Sequence, residues 1–500
     1  MSHTEQFSSR WGIVLASLGM AIGAGNLWRF PRLAGQYGGA FLILWIVFLL
    51  VWSIPILLAE FSIGKQYKMG TIGSYASAAG KGLTWGGVFI TLCTLGIAFY
   101  YSVVTGWALQ YVGLSFGNMF NLLGGEATIA KHLENDPAYL ENFWDHIAYG
   151  NTGSVVLYIL AVIAGIVLLV RGIQNGLEKA NRILIPLLFL MLILISILSL
   201  NMDNGISGLE YMFSVNTRYF SDPAIWIEAL SQSAWSTGAG WGLIMTLSSY
   251  SRKKEDVTLN TFIGGFGNNT ASIMAAMAIL PAVFALSPSE SEAIAYLQTG
   301  NQALTFTIIP KLFSTFTGGA FLSALFFLAF FLAAFSSLLP MLELFISNLM
   351  DLGLTRGKAA VRVLVFCVVF GFPSAWSLDI FSNQDWVWGV GLIISGLFII
   401  IAVVKYGAAR FKRDFIDQDS DFRVNTNYFV ACMFINIALA VILVYWWLSR
   451  GYSDYPWFDE EGNWNFFDVY SNASVVTQWL IVILLGVLLN NWIYKKIIKS

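Results

Sequence analysis

Long apolar segments alternate with short polar ones along the whole chain. Twelve of them hold enough apolar residues to cross a bilayer, which takes about 20 residues in a helix. They lie at roughly 11–34, 40–64, 86–115, 153–170, 178–200, 223–250, 258–286, 317–349, 358–376, 386–408, 427–449 and 474–494. The pattern predicts an all-α membrane protein with twelve transmembrane helices, numbered here as spans 1 to 12.

Two of these spans are interrupted by glycines. Span 1 contains "GMAIGAGN" (19–26) and span 6 contains "SQSAWSTGAGWG" (231–242). Small residues also let helices pack closely, and that alternative applies to Gly19 and Gly23 taken alone. Spans 1 and 6, however, each open a five-span half, and broken helices at matching positions predict a transporter site built on inverted repeats. A break frees carbonyls to ligate a cation and amides to bind an anion.

This pattern divides the chain into four regions. We expect a cytoplasmic N-terminal segment at 1–10 and a first inverted repeat at 11–200, which includes an extracellular loop at 117–150. The second inverted repeat follows at 201–410, and spans 11 and 12 occupy 411–500 with a cytoplasmic C-terminus.

Composition and charge agree with a membrane protein. Hydrophobic residues make up 57% of the chain and charged residues 11%, against about 25% charged in soluble domains. With a cytoplasmic N-terminus, all of the 27 Lys and Arg lie on the inner side except Arg29, Arg32, Lys131, Arg218, Lys311 and Arg450, as the positive-inside rule expects. The net charge of −2 gives no indication of a nucleic-acid partner.

Neither catalytic nor disulfide chemistry is indicated. Cys93, Cys367 and Cys432 all lie within predicted spans, where we expect them to be small core residues. The chain has no His-Glu-x-x-His motif, nucleophile elbow or phosphate loop, and its three histidines lie outside the spans. We therefore expect a protein that is not an enzyme.

The opening motifs resemble those of a known family. "GMAIGAGNLWRFP", followed by "GGAFL" and "LLAEFSIGK", is similar to the start of the neurotransmitter:sodium symporters, close to the bacterial leucine transporter. The resemblance runs from about residue 7 to span 12. It implies the leucine-transporter fold and sodium-coupled import of a small amino acid by alternating access in the plasma (inner) membrane. Spans 1, 2, 6 and 7 would move as a bundle against spans 3, 4, 8 and 9, and 288–315 would cap the outer vestibule.

The resemblance also implies two sodium sites. For the first, the matching positions are the Ala21 carbonyl, Asn26, Ser236 and Asn268. For the second, they are the carbonyls of Gly19, Ile22 and Ala333 with the hydroxyls of Ser336 and Ser337. Hard cations take oxygen ligands, which fits both sets. The two serines could instead bond back to their own helix.

A substrate site follows from the same resemblance. The Tyr101 hydroxyl and the amides near Ala24 and Gly25 would bind a substrate carboxylate, assisted by a half-helix dipole. Monoamine carriers of the family have an aspartate where this chain has Gly23, so an amino acid is favoured. The matching pocket residues are Met20, Ala21, Gly23, Ala24, Gly25, Ile97, Tyr101, Trp235, Ser236, Gly238, Trp241, Ser337 and Met341.

Several of these positions depart from the leucine transporter. Met20 replaces an asparagine, Gly238 replaces a serine, and Trp235 and Trp241 replace phenylalanines. We expect Gly238 to add volume and the tryptophans and Met341 to offer stacking faces, which favours a hydrophobic or aromatic amino acid. A small aliphatic amino acid and an apolar ligand without the full amino-acid head group, such as an indole, remain alternatives.

The family's gates have partial matches. Arg29 and Asp385 match the pair that closes the outer vestibule over bound substrate, and Tyr100 and Trp241 would form an aromatic lid below it. Phe7, Tyr250 and Asp351 match parts of the cytoplasmic gate. Thr4 stands where the family has an arginine, so the ionic half of that gate is an open question.

Two further groups complete the expectations. Gln232, Ser236 and Ser272 match an anion site of animal relatives, but Trp45 stands at its tyrosine position, so chloride use stays open. Glu60 lies deep in span 2, where an acid has a functional role by default. Relatives use theirs to bond the broken backbone of spans 1 and 6, a role favoured here over proton transfer.

Two other classes of protein are alternatives to the symporter. A channel would need a filter repeated around an axis, and a ligand sensor on a transporter fold would bind without transport. The expected partners are a small-molecule substrate, two sodium ions and the lipid bilayer, with no nucleic acid. The sequence does not separate a monomer from a homodimer.

Overall fold

All twelve predicted segments are helical in the computed structural model, which describes residues 5–120, 128–450 and 453–498. Within these residues, ten helices are long and apolar enough to cross a membrane. They form spans 2 to 5 and 7 to 12: Gly39–Tyr67, Lys81–Met119, Thr152–Leu169, Ile173–Leu200, Val257–Leu286, Gly319–Asp351, Arg356–Trp376, Leu378–Tyr406, Thr426–Ser449 and Asn472–Ile498.

Span 1 is broken where the glycines predicted it. The helices Arg10–Ala21 and Ala24–Tyr37 meet at 61° and together provide an eleventh crossing. Ile22 leaves the helical region with φ −84° and ψ 89°, and Gly23 is extended. The Asn26 side chain accepts a hydrogen bond from the Gly23 amide at 3.0 Å, which stabilises the start of the second half.

Span 6 is also broken where its glycines predicted it. It consists of two short helices, Pro223–Thr237 and Leu243–Ser249, separated by five residues. Gly238, Gly240 and Gly242 in this gap have φ of +72°, +93° and +74°, a region that glycine enters without steric cost. Three such residues at alternate positions stop the helix, so neither half of span 6 has the length of a membrane span.

Spans 3 and 8 form the centre of the molecule. In each, 83% of the most apolar stretch is buried, against 33% to 39% for spans 4, 5, 9, 11 and 12. The outer spans carry exposed apolar side chains such as Val369, Phe370 and Leu488. Exposed apolar surface on this scale requires a lipid environment. The three cysteines are buried and free, as expected.

Short helices connect the spans. Ile129–Asn135 and Tyr139–Ala148 lie in the predicted loop 117–150, of which residues 121–127 lie outside the described part. Glu290–Leu297 and Ile309–Ser314 lie in the predicted cap 288–315. Asn301 of that segment accepts a hydrogen bond from Arg32 of span 1 at 2.6 Å. The segment therefore lies against the outer half of span 1.

Candidate functional site

A cavity of about 370 Å³ lies beside the two breaks, a size typical of small-molecule sites. Most of the predicted substrate residues line it: Met20, Ala21, Gly23, Gly25, Tyr101, Trp235, Ser236, Trp241, Ser337 and Met341. The cavity continues to Arg29, Glu228 and Asp385, and then to Asn301 of the predicted cap. The breaks thus open into one continuous space that also contains the predicted outer-gate residues.

Three predicted substrate residues do not line this cavity. Ile97 is fully buried, and the Ala24 amide donates a hydrogen bond to the Tyr101 hydroxyl at 2.9 Å. Gly238 was expected to add volume, and this expectation is wrong in the structure. A Cβ at Gly238 would lie 2.8 Å from the Met20 terminal methyl. The longer side chain at position 20 therefore fills the space that the glycine leaves.

Aromatic rings form one wall of the cavity. Trp235 and Trp241 lie edge to face with centroids 4.9 Å apart, and Tyr100 lies 6.5 Å from Trp235. The Thr94 hydroxyl donates to the Trp241 carbonyl at 2.6 Å, which fixes the backbone of the span 6 break. This wall offers an aromatic surface in the cavity that the span 1 break also lines.

The residues predicted for the first sodium site come together. Asn26 Nδ2 lies 2.8 Å from Asn268 Oδ1, and Asn268 Nδ2 lies 3.0 Å from the Ser236 hydroxyl. The Asn268 Oδ1 position is also 2.9 Å from the Ser236 carbonyl oxygen and 3.1 Å from that of Ala21. An oxygen placed there faces two other oxygens. Either a reversed amide, which would donate to both carbonyls, or a bound cation satisfies this arrangement.

Of the residues predicted for the second sodium site, the structure joins Ser337 directly to Gly19. The Ser337 hydroxyl donates to the carbonyls of Gly19 at 2.9 Å and Met20 at 3.1 Å, joining span 8 to the end of the first helix. The Ser336 hydroxyl donates to the Ala333 carbonyl at 3.1 Å within its own helix. Ile22 follows the last residue of that first helix and is fully buried.

Both sets consist of neutral oxygens. Within residues 5–120, 128–450 and 453–498, no group of three or more His, Cys, Asp or Glu could hold a metal ion. A monovalent ion is compatible with such sets because its single charge can be balanced by carbonyl and hydroxyl dipoles. The chemistry of the donors therefore fits sodium better than a divalent metal.

Glu60 contacts the break of span 6. Its Oε1 accepts a hydrogen bond from the Gly240 amide at 2.6 Å. Thr71 adds a second contact, because its hydroxyl donates to the Gly242 carbonyl at 3.0 Å. Among the described hydrogen bonds, none joins Glu60 to the break of span 1, so the expected contact is found for span 6 alone.

The outer-gate residues share the cavity but do not pair as expected. Arg29 Nη2 lies 2.8 Å from Glu228 Oε2 and 3.0 Å from the Ser231 hydroxyl. Asp385 lies beside Tyr100 and close enough to Arg29 to interact with it electrostatically. The predicted Arg29–Asp385 ion pair is absent from the described contacts, because Glu228 from span 6 is nearer.

The cytoplasmic-gate residues are only partly together. The Phe7 amide donates to the Tyr250 carbonyl at 3.0 Å, and the Tyr250 hydroxyl donates to Glu343 Oε1 at 2.7 Å. Asp351 instead accepts from the Gly70 amide at 2.7 Å. Thr4 lies outside the described residues.

An ion cluster next to Tyr250 was not anticipated from the sequence. Arg356 donates to both Glu343 carboxylate oxygens, at 2.8 and 3.0 Å, and to both oxygens of Glu5, each at 3.0 Å. The Glu343 side chain is fully buried. Applying the rule used for Glu60, that an acid inside a span has a functional role, to span 8 would have identified Glu343. No local pattern marks Arg356 as its partner.

The possible anion site retains donors without partners. Ser236 and Ser272 are engaged with Asn268 and Asn26. The Gln232 amide and the Trp45 indole nitrogen are buried and have no hydrogen-bond partner among the described residues. Buried N–H groups of Trp45 in span 2 and Gln232 in span 6 are therefore available to an acceptor.

Comparisons with known proteins agree with this arrangement. The profile of the Sodium:neurotransmitter symporter family matches residues 4–123 and 138–499. An uncharacterized sodium-dependent transporter of Haemophilus influenzae is 30% identical over 76% of this chain and 81% of its own length. The sodium-dependent serotonin transporter of Drosophila melanogaster is 25% identical, over 83% of this chain and 72% of its own.

A solved structure has the same fold. The crystal structure of MhsT in complex with L-phenylalanine superposes with a TM-score of 0.76 at 28% identity, covering 88% of this chain and 99% of MhsT. The family consists of multi-pass membrane transporters that couple a small-molecule substrate to sodium. With two broken spans, neutral oxygen clusters beside them and a family match over nearly its whole length, this chain belongs to the sodium:neurotransmitter symporter family.

Proposed function

We propose that this chain imports a hydrophobic or aromatic amino acid with sodium, by alternating access. The observation that carries the proposal is the cavity at the two breaks. Its lining combines Tyr101 and Gly25 of the span 1 break with the Trp235–Trp241 wall. A cavity with both polar groups and an apolar wall suits a ligand with a charged head group and a nonpolar side chain.

The head group would bind at the break of span 1. The second half of that span begins at Ala24, so its first amides and the positive end of its dipole favour a carboxylate. Tyr101 already bonds the Ala24 amide and can turn its hydroxyl hydrogen toward an anion. Gly23 carries no side-chain charge, which leaves the carboxylate to be supplied by the substrate.

The side chain would lie against the tryptophans. Trp235 and Trp241 present perpendicular faces, and Met20 and Met341 line the same cavity. Methionine adapts its shape and contacts aromatic rings favourably. MhsT, which has the same fold, was crystallised with L-phenylalanine, in line with an aromatic substrate for this chain.

Two sodium ions would accompany the substrate. The first would bind Ala21, Asn26, Ser236 and Asn268, and the second would bind between Gly19, Ile22, Ala333, Ser336 and Ser337. Each sodium ion that enters down a 100 mV potential supplies about 2.3 kcal/mol. We place the protein in the plasma (inner) membrane with both termini in the cytoplasm, the bundle of spans 1, 2, 6 and 7 moving against spans 3, 4, 8 and 9.

Ligand-induced thermal stabilisation tests the substrate class. The purified protein would be heated with each of the twenty amino acids, indole and tryptamine, in sodium and in potassium. A ligand at 100 times its Kd stabilises the folded state by about 2.7 kcal/mol. We expect stabilisation by aromatic and large aliphatic amino acids in sodium only. Stabilisation in both salts alike would contradict sodium coupling.

The second candidate is an apolar ligand without a carboxylate, such as an indole. It is favoured by the hydrogen bond from the Ala24 amide to the Tyr101 hydroxyl, which already uses one of the amides that would bind a carboxylate. Tyr101→Phe separates the two candidates. We expect this change to abolish stabilisation by amino acids, whereas an indole carrier would keep its response to indole and tryptamine.

Transport itself requires a flux measurement. Proteoliposomes with an inward sodium gradient should accumulate the stabilising ligand above its outside concentration. A channel would only equalise the two concentrations, and a sensor would move no ligand. Replacing outside chloride with gluconate in the same assay tests whether the Gln232 and Trp45 donors serve a chloride ion.

A further inference from the structure

We propose that a second, much smaller cavity binds one water molecule that joins span 1 to span 7. This cavity lies among spans 1, 2, 6 and 7, next to Ala21, which also lines the large cavity. It has about 10 Å³ of room for the centre of a water molecule. Room of about this size is what a single buried water needs.

Three polar side chains lining the cavity have unsatisfied oxygens. These are Ser17 Oγ, Asn260 Oδ1 and Thr261 Oγ1, which find no hydrogen-bond partner among the described residues. The three residues are only 3%, 3% and 4% exposed. Buried polar atoms are almost always paired with protein or with ordered water. Three such oxygens around one small space indicate a shared partner there.

The orientation of Asn260 is fixed by its other bonds. Its Nδ2 donates to the Asp256 carbonyl at 2.6 Å and to Glu255 Oε1 at 3.2 Å. The carboxamide oxygen is therefore an acceptor and not a donor. A water can donate to it and exchange hydrogen bonds with the two hydroxyls, which gives the three partners that a buried water usually has.

A divalent metal ion fits this space less well. Hard cations such as Ca²⁺ and Mg²⁺ take at least six oxygen ligands. The remaining lining is mostly apolar, with Leu57, Phe61 and Ile244 among it. Three neutral oxygens in such surroundings suit a water molecule.

The water would help to position the ligands of the proposed first sodium site. Ser17 precedes Ala21 by one helical turn, and the Ala21 carbonyl is a proposed ligand of the first sodium. A hydrogen bond from Ser17 through water to span 7 ties this turn to the span that carries Asn268. The two sides of the proposed sodium site are then held at a fixed separation.

Gly264→Ala is a direct test of the water. A methyl group at Gly264, which lines the cavity, would meet only Ser17 Cβ, at 4.0 Å. Without a water, the change fills space and improves helix propensity, so the unfolding midpoint should rise. With a water, it displaces that water and leaves three polar atoms unpaired. We expect the midpoint to fall by at least about 2 °C. Gly113→Ala is the matched control, because a Cβ there meets nothing within 4 Å.

Repeating the Gly264→Ala test in a variant that lacks two of the water's partners shows whether the effect depends on the water. In Ser17→Ala/Thr261→Val protein, most of the partners are gone, so adding Gly264→Ala should lower the midpoint less than in the unaltered chain. A rise in both backgrounds equal to that of Gly113→Ala would show a dry cavity and overturn the proposal. All scans are run in sodium and in potassium. An effect seen only in sodium would identify the guest as a sodium ion, which also overturns it.

Discussion

The Arg29 guanidinium has two acidic neighbours in the large cavity, Glu228 and Asp385. It pairs with Glu228, whose side chain is 32% exposed while that of Arg29 is 19% exposed. A partly solvated pair of this kind contributes about 0–1 kcal/mol. Exchange of Arg29 between the two acids therefore costs little, and Glu228 competes with the closure that Asp385 would provide over bound substrate.

Glu228→Gln should favour closure. Without the competing carboxylate, Arg29 can pair with Asp385, so substrate affinity in sodium should rise by up to about fivefold. Asp385→Asn should lower the affinity. Isothermal titration of the purified variants measures both, with Glu292→Gln as a control at an exposed acid of the predicted cap. Equal substrate affinities in all three variants would show that Arg29 takes no part in closing the outer gate.

Ser337 tests the second sodium site at the same scale. Its hydroxyl joins span 8 to the carbonyls of Gly19 and Met20. Ser337→Ala removes one proposed ligand, and losing a buried polar partner costs about 1–3 kcal/mol. The sodium concentration that gives half of the maximal thermal stabilisation should rise at least about fivefold. Ser347→Ala, where the hydroxyl bonds the Leu344 carbonyl of its own helix, should leave it unchanged.

At the scale of the helix, the break of span 6 depends on partners outside its own segment. Three glycines with positive φ expose backbone groups that a continuous helix would pair. Glu60 accepts from the Gly240 amide, and Thr71 and Thr94 donate to the carbonyls of Gly242 and Trp241. The break is thus stabilised by side chains of spans 2 and 3 and of the short helix Thr71–Ala79 between them.

Two substitutions at Glu60 distinguish a structural role of this carboxyl group from a proton-carrying one. Glu60→Gln keeps an oxygen that can accept from Gly240, so stability and transport should remain near those of the unaltered chain. Glu60→Leu leaves the buried Gly240 amide unpaired and should lower the free energy of unfolding by about 1–3 kcal/mol. Thermal scans and proteoliposome uptake measure both. If Glu60→Gln bound substrate normally but did not transport it, a proton role would be indicated.

At the scale of the whole molecule, one cluster connects the N-terminal segment with spans 6, 8 and 9. Arg356 binds Glu343 and Glu5, and Glu343 accepts from Tyr250. The side chains of Arg356 and Glu343 are 10% and 0% exposed. In the proposed orientation and mechanism, opening toward the cytoplasm would separate these elements, so the cluster would oppose that motion.

Arg356→Met should destabilise the closed cytoplasmic side. It leaves the buried Glu343 charge without its cation, which costs about 3–5 kcal/mol. The unfolding midpoint should fall and efflux of substrate from loaded proteoliposomes should become faster. The control Arg362→Met changes an exposed arginine of the same span. Adding Glu343→Leu should restore the midpoint but not the slow efflux, because a buried pair contributes less to stability than its unpaired charge costs.

The sequence by itself determined the spans and the places where two of them break. The spans follow from apolar runs of membrane length, because lipid demands that backbone groups be satisfied within a helix. The breaks follow from the glycines of "GMAIGAGN" and "SQSAWSTGAGWG", which act through local backbone propensity. The oxygen-bearing residues of the two proposed sodium sites could be named only through the family resemblance, and the structure brings Asn26, Ser236 and Asn268 of the first site together.

Only the tertiary structure decided which side chains meet across the molecule. Glu5 and Arg356 form an ion pair although they are 351 positions apart. Arg29 pairs with Glu228 and not with Asp385 because the packing of the helices sets the distances between these side chains. Met20 covers Gly238 for the same reason, so the cavity volume could not be summed from its lining residues. Charge pairing and cavity shape depend on distances of a few ångström between separate helices, and no periodicity along one helix encodes them.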